Sequence, residues 1–214
     1  MVAIQKFVFN PFQENTYLLF DESGACTIVD PGCYDQHEKD EITDFIRVKN
    51  LTPVRLAYTH CHVDHMLGNN YICKTYNLKP EIHKAGLPFL ISAHRQGKVY
   101  GFDLEPIVEP ERYIEDEEII RFGNTELRVF YTPGHADGSI CFISEEQKFV
   151  LAGDLLFHGS IGRTDFPTGD FELLVNSIHN RLFTLEDDYI VYAGHGSETT
   201  IGYEKRHNPF VRIL

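Results

Sequence analysis

The sequence predicts an α/β (α+β) fold arranged as a four-layer αβ/βα sandwich: one domain, residues 1–214, made of two pseudo-repeats. Three observations lead there. Runs of β-forming residues give way to a helical period in each half of the chain. No stretch between the halves reads as a linker, and the chemically distinctive residues fall where strands end. Two sheets packed face to face, with helices outside, suit a chain that repeats this alternation.

From the N-terminus, IQKFVF, TYLLFD and ACTIVD read as strands separated by the turn formers Asn10, Pro11, Ser23 and Gly24, an antiparallel meander. Between Gln36 and Asn50, the residues Ile42, Phe45 and Ile46 recur at helical spacing. VRLAYT, after Pro53, returns to a strand ending at Thr59. A helix follows Gly68, a short strand lies near Glu81 to His83, and a second helix covers Leu87 to Gln96. Gly97 to Glu118, rich in charge and proline, reads mostly as loop. TELRVFYT, GSICFIS and KFVLAGDLL are strands again. Phe171, Leu174, Val175, Ile178 and Leu182 mark one helix face, DYIVYAGH is a strand, and Thr199 to Arg206 forms the last helix.

Net charge is -13, from 19 Lys and Arg against 32 Asp and Glu. That balance disfavours nucleic acid and anionic lipid, which need a basic stripe. The N-terminus carries no long apolar leader segment, and no apolar run of about 18 residues offers a membrane span. The five cysteines are odd in number, with no CxxC and no scaffold-like spacing. A protein of the reducing cytoplasm is expected, with oligomeric state left open.

The chemistry concentrates in Thr59-His60-Cys61-His62-Val63-Asp64-His65, directly after VRLAYT. Strand alternation points His60 and His62 to one side, and Asp64 and His65 swing in from the turn that follows. Cys61 falls on the opposite face as a packing residue. His135 in TPGHADGS, Asp154 in LAGDLLF and His195 in YAGHGS also follow strands, each behind a glycine (Gly134, Gly153, Gly194) where the backbone can turn or approach closely. His37, His83, His94, His158, His179 and His207 lack such company and are assigned to surface or loops.

With ENTYLLF, IVDPG, THCHVDH, TPGHADGS, AGDLLF and AGHGS in order, the chain resembles the metallo-β-lactamase superfamily over essentially its whole length. The resemblance implies the metallo-β-lactamase fold and two divalent ions, with His60, His62 and His135 on one, Asp64, His65 and His195 on the other, and Asp154 bridging. Asp64 and Asp154 are then catalytic as well as ligating. Asp30 in IVDPG matches a carboxylate that orients a ligand from behind; local sequence allows equally a turn-forming Asp before Pro31. Nitrogen and oxygen donors without thiolate suit zinc, iron or manganese, and the donor set does not choose among them; zinc is the first expectation.

GSIGRTDFP, Gly159 to Pro167, and GHGSETTIGYEKRHNPF, Gly194 to Phe210, resemble the short form of the glyoxalase II family. This implies hydrolysis of hydroxyacyl-glutathione or a related small thioester by a metal-bound hydroxide. A thiol leaves without strong protonation, which fits the lack of an evident extra general acid. Arg163 is a candidate for a substrate carboxylate, and Lys205 and Arg206, after the His195 loop, are further candidate substrate contacts, although a structural or surface ion pair is the better reading of each. The longer glyoxalase II enzymes append a helical glutathione-gripping segment absent here. The alternative is an Fe(II) persulfide dioxygenase of the same superfamily; a metal-binding interaction module without catalysis is a third reading. A secreted β-lactamase fits less well, because Cys occupies the Asp154 position in the best-known group of those enzymes.

Overall fold

A computed structural model describes residues 1–213. The first half contributes β1 (Ala3–Phe9), β2 (Glu14–Phe20), β3 (Ala25–Val29), α1 (Gln36–Val48), β4 (Thr52–Ala57), α2 (Val63–Met66), α3 (Asn69–Tyr76), β5 (Pro80–His83), α4 (Leu87–Val99) and β6 (Arg112–Ile114). The second contributes β7 (Ile119–Phe122), β8 (Thr125–Tyr131), β9 (Ile140–Ser144), β10 (Phe149–Gly153), β11 (Leu156–Phe157), β12 (Ser160–Ile161), α5 (Phe171–Asn180), β13 (Ile190–Ala193), β14 (Thr199–Thr200) and α6 (Ile201–His207).

Local chemistry sets the boundaries. Asp35 opens α1 by accepting the Glu38 amide, while the Glu38 side chain reaches back to the cap, a reciprocal capping box. Asp170 and Thr200 cap α5 and α6 from one side only, accepting the Leu173 and Tyr203 amides. Asn77 closes α3 in the left-handed conformation.

Six strands form the first sheet in the order β1-β2-β3-β4-β5-β6, antiparallel through β3 and parallel from β3 to β6. Six form the second, β14-β13-β10-β9-β8-β7. Each half therefore runs a meander and then crosses over through a helix to a parallel strand, β3-α1-β4 and β10-α5-β13. The apolar core lies in three seams. Leu19, Val29 and Ala57 meet Leu127, Phe142 and Leu151 between the sheets. Leu18, Ile28 and Leu56 face α1, α3 and α4 through Ile42, Ile72 and Leu90. Val150 and Val191 face α5 and α6 through Leu174 and Ile201. Full burial of such aliphatic side chains stabilises by about 1.5–3 kcal/mol each. Helix, sheet, sheet, helix is the layering the sequence predicts.

Strand direction positions the site. Two antiparallel steps separate β8 from β10, so both run the same way, and β13 is parallel to β10. The C-terminal ends of all three open on one edge, where His135, Asp154 and His195 follow.

Several boundaries differ from the sequence reading. β4 stops at Ala57, not Thr59, because the Thr59 amide leaves the ladder and donates to Asp30 Oδ1 at 2.8 Å. The segment after His62 is the short helix α2, and α4 runs on to Val99. β6 lies within the segment read as loop, and β7 was not anticipated.

Candidate metal centre

The seven histidines and aspartates singled out by sequence come together at the open edge of the sheets. His60, His62 and His135 form one cluster, and Asp64, His65 and His195 another, each offering ligand atoms within 4.8 Å of one another. His60 joins the clusters, its ring centroid 4.9 Å from that of His135 and 4.2 Å from that of His65. Asp154 faces both: Oδ2 lies 3.6 Å from His135 Nε2 and 3.6 Å from His195 Nε2, while Oδ1 lies 3.5 Å from His65 Nε2.

Strand alternation does not deliver His60 and His62, since β4 has already ended. His60 sits in the turn beyond the strand, and His62 is the N-cap residue of α2. Asp64 and His65 then lie on the helical turn itself. Gly194 is needed for close approach: a Cβ there would collide with Asp154 Oδ1 and stand 2.8 Å from His65 Cε1.

Each anchoring contact fixes which ring nitrogen faces inward. His135 Nδ1 is 2.8 Å from the Arg163 carbonyl, and His195 Nδ1 is 3.1 and 3.2 Å from the carbonyls of Phe12 and Gln13. A carbonyl accepts only, so both Nδ1 atoms carry a proton and both rings turn Nε2 toward the centre. His65 repeats the pattern, with Nδ1 3.2 Å from Asp30 Oδ2. His62 instead turns Nδ1 inward, 2.9 Å from His135 Nε2.

Three buried atoms at the centre have no hydrogen-bond partner: His60 Nε2, His65 Nε2 and Asp154 Oδ1. Orphaned buried polar atoms are rare and costly. Here they are all potential ligands converging on one space, and a divalent ion would satisfy them. The donor set of imidazole and carboxylate fits such an ion.

Electrostatics favour the same conclusion. Burial, helped by neighbouring His65, drives the His60 pKa well below its usual value. Burial and adjacent His135 bring His62 down to about 4, so both rings stay neutral as ligands must. For His65, burial opposes the charge, but Asp64 and Asp154 outweigh it and hold the ring protonated. For Asp154, burial likewise opposes charge and is overcome by His65, His60 and His135, leaving the carboxyl well below the usual range. The positive charge His65 lends these carboxylates is the charge a cation among them would supply.

Asp30 stands near enough to His60 and His65 to count as a ligand by distance. Its oxygens are already engaged, Oδ1 by the Thr59 amide at 2.8 Å and Oδ2 by the Thr59 hydroxyl at 2.5 Å and His65 Nδ1. It lies behind His60 and His65 and holds the His65 ring by Nδ1.

Glu14 and Asn15 escaped the sequence reading. Fully buried Glu14 lies 3.8 Å from His65 Nδ1 and accepts from Thr16. Asn15 donates through Nδ2 to the carbonyls of Ala193 and Gly196, at 2.9 and 3.0 Å, and through its amide to Gly194 at 2.7 Å. Three consecutive buried polar residues at the start of a strand were the available signal.

The candidate substrate cations are engaged elsewhere. Arg163 forms a two-pronged pair with Asp165 and stacks 3.8 Å above the Phe166 ring, which itself abuts His62. Lys205 and Arg206 both pair with Asp187, at 3.0 and 2.8 Å. All five cysteines are unpaired and buried, including Cys61. No helix among the described residues is long and apolar enough to cross a membrane.

Comparison with known proteins agrees with this architecture. The family model for the metallo-beta-lactamase superfamily matches residues 9–195. The chain is 37% identical to the hydroxyacylglutathione hydrolase GloC of Haemophilus influenzae, covering 94% of this chain and 93% of that one. Among solved structures, the BLEG-1 B3 metallo-beta-lactamase superposes with a TM-score of 0.87 at 31% identity, covering 98% of this chain and 99% of the other. TTHA1623, in a di-iron-bound form, superposes with a TM-score of 0.86 at 32% identity, covering 96% and 99%. With the family model spanning most of the chain and the layering and site edge in place, this protein belongs to the metallo-beta-lactamase superfamily of metallo-hydrolases.

Proposed function

We propose that the chain is a glyoxalase II-like thioesterase that cleaves hydroxyacyl-glutathione or a related small thioester at a two-metal site. His60, His62 and His135 would hold one divalent ion, Asp64, His65 and His195 the second, and Asp154 would bridge. The observation that carries a paired centre is the single Asp154 carboxylate facing both clusters at 3.6 Å. Zinc is the first expectation; the di-iron form of TTHA1623 keeps iron in view. Such ions supply Lewis acidity and lower the pKa of a coordinated water to about 7.

The protein's own groups prepare that chemistry. Asp64 accepts from His195 Nε2 at 3.2 Å; burial opposes its charge, but His65 and this hydrogen bond hold its carboxyl below the usual range. Asp64 and Asp154 therefore stay anionic at neutral pH and act as ligands and charge, not as proton donors. A departing thiolate needs no donor, because a thiol ionises at a pKa of about 8.5. The exposed rings of Phe12 and Tyr100 are in edge contact at 5.5 Å, and the Phe12 carbonyl anchors His195. Thioester chemistry is supported by the similarity to GloC and by the GSIGRTDFP and tail segments. Buried unpaired thiols suit the reducing cytoplasm as its setting.

The test is metal analysis of purified protein together with thiol release from S-D-lactoylglutathione. Two ions per chain with thiol release is the expected result. Two ions without turnover would remove the substrate; one iron per chain with O2 consumption on glutathione persulfide would replace the hydrolase by a dioxygenase.

A further inference from the structure

The tail that resembles short glyoxalase II sequences contains a buried acid without a cation. Glu204, on α6, is fully buried, as is Asn208 one turn later. The carboxyl of Glu204 faces only donors: the Gly159 amide at 3.1 and 3.2 Å, the Thr199 hydroxyl at 2.5 Å and Asn208 Nδ2 at 2.7 Å. The neighbouring cations Lys205 and Arg206 are spent on Asp187. Burying a carboxyl is costly unless hydrogen bonds satisfy its oxygens. What these bonds hold is the β11–β12 hairpin, since Asn208 Nδ2 also donates to the Ser160 carbonyl at 3.0 Å.

That hairpin leads straight into the metal centre. β12 ends at Ile161, and the Gly162 amide returns to the Leu155 carbonyl at 3.4 Å. A Cβ at Gly162 would collide with the Asp154 carbonyl oxygen and stand 3.1 Å from His135 Nδ1, so the segment passes flush against two candidate ligands. The next residue, Arg163, supplies the carbonyl that takes the His135 Nδ1 proton at 2.8 Å. The segment's backbone, and not the Arg163 guanidinium, is the part that touches His135.

We propose that Glu204, together with Asn208, is a positioning residue for His135. By clamping Gly159 and Ser160, the pair sets the path of Gly162 and Arg163 and so fixes the proton on His135 Nδ1, leaving Nε2 free toward the centre. The consequence for catalysis rests on the reading of His135 as a ligand; the positioning itself does not.

The test follows the His135 Nδ1 proton by NMR in full-length protein stripped of metal by chelator and without substrate. Glu204→Gln keeps the shape but turns an amide group toward donors. Asn208→Ala removes the Ser160 contact together with the side-chain bonds to Glu204 and the Phe210 amide, and leaves the Glu204 carboxyl on the Gly159 amide. Ile42→Val, in the core under α1, is a control that loosens packing on the other sheet. Exchange of the His135 Nδ1 proton with water should quicken roughly tenfold or more in both tail variants, the scale expected when a buried hydrogen bond is undone, and stay unchanged in the control. Exchange in the tail variants equal to that in Ile42→Val would overturn the proposal. Should Glu204→Gln not fold, Asn208→Ala decides by the same readout. Failure of thioester turnover in the unaltered protein would remove the substrate assignment and leave this result standing.

Discussion

Asp30 Oδ2 stands 3.2 Å from His65 Nδ1, and the same carboxylate takes both the amide and the hydroxyl of Thr59. One side chain thus ends β4, directs the turn that carries His60 and His62, and holds the His65 ring by its Nδ1 edge. The residue itself adopts a left-handed backbone, φ 51°, secured by its amide on the Ala57 carbonyl.

Asp30→Asn keeps the size but presents an amide group to at least one donor. Groups that orient ligands from behind typically cost 10- to 100-fold in metal affinity when altered. A weakening of about that size is expected by competition titration with a chelating dye, with the fold retained by circular dichroism. Unaltered affinity would show that Asp30 serves the turn alone.

Asp154→Ala removes the one carboxylate that faces both clusters. Metal content should drop for both ions, and thioester turnover should fall by roughly 100-fold or more. Metal quantification decides the point: full occupancy of two ions in this variant would contradict the bridging role.

The candidate site was legible where residue type carries the message. Histidines and aspartates clustered within HxHxDH, or placed singly after glycine at strand ends, are distinctive, and the strands that deliver His135 and Asp154, of 7 and 5 residues, are long enough to read as strands. What stayed hidden uses groups without a residue signature. The Arg163 carbonyl anchors His135, but any residue has a carbonyl; attention fell on the guanidinium, which pairs with Asp165. β6 and β7, with 3 and 4 residues, are too short for alternation to emerge. The end of β4 depended on a side chain 29 positions away, a tertiary contact that local pattern cannot carry.

Asp21 ties the two sheets together away from the metal centre. Its oxygens accept from the Ser23 amide and hydroxyl after β2, from the Asn124 amide between β7 and β8, and from the Thr125 hydroxyl at the start of β8. Burial opposes its charge, but these hydrogen bonds prevail and lower its pKa. A depressed folded-state pKa contributes stability that is complete above the unfolded value of about 3.9 and is lost as pH falls toward the folded value. Asp21→Asn, whose amide group would face the Asn124 N–H, should cost about 1–3 kcal/mol at pH 7. Urea unfolding should show this gap closing below about pH 4; a gap constant down to pH 3 would contradict the assignment.

Asn15 offers a way to disturb one half of the centre. Its Nδ2 grips the carbonyls on either side of the Gly194-His195 pair, at Ala193 and Gly196, and among its side-chain contacts none reaches the His60, His62 and His135 cluster. In Asn15→Ala the backbone bond from residue 15 to Gly194 persists, so the strand stays in register while the loop bearing His195 loosens. The Gly196 carbonyl retains only the longer contact from Lys6 Nζ at 3.4 Å. The affinity for the ion proposed at Asp64, His65 and His195 should weaken by about tenfold, at the lower end of the range for groups that support a ligand, while the ion proposed at the other cluster keeps its affinity. Stepwise metal titration should then resolve two affinities that lie closer together in the unaltered protein. Equal weakening of both ions would mean that His195 serves them jointly, and no weakening of either would mean that the Phe12 and Gln13 carbonyls alone suffice to hold its ring.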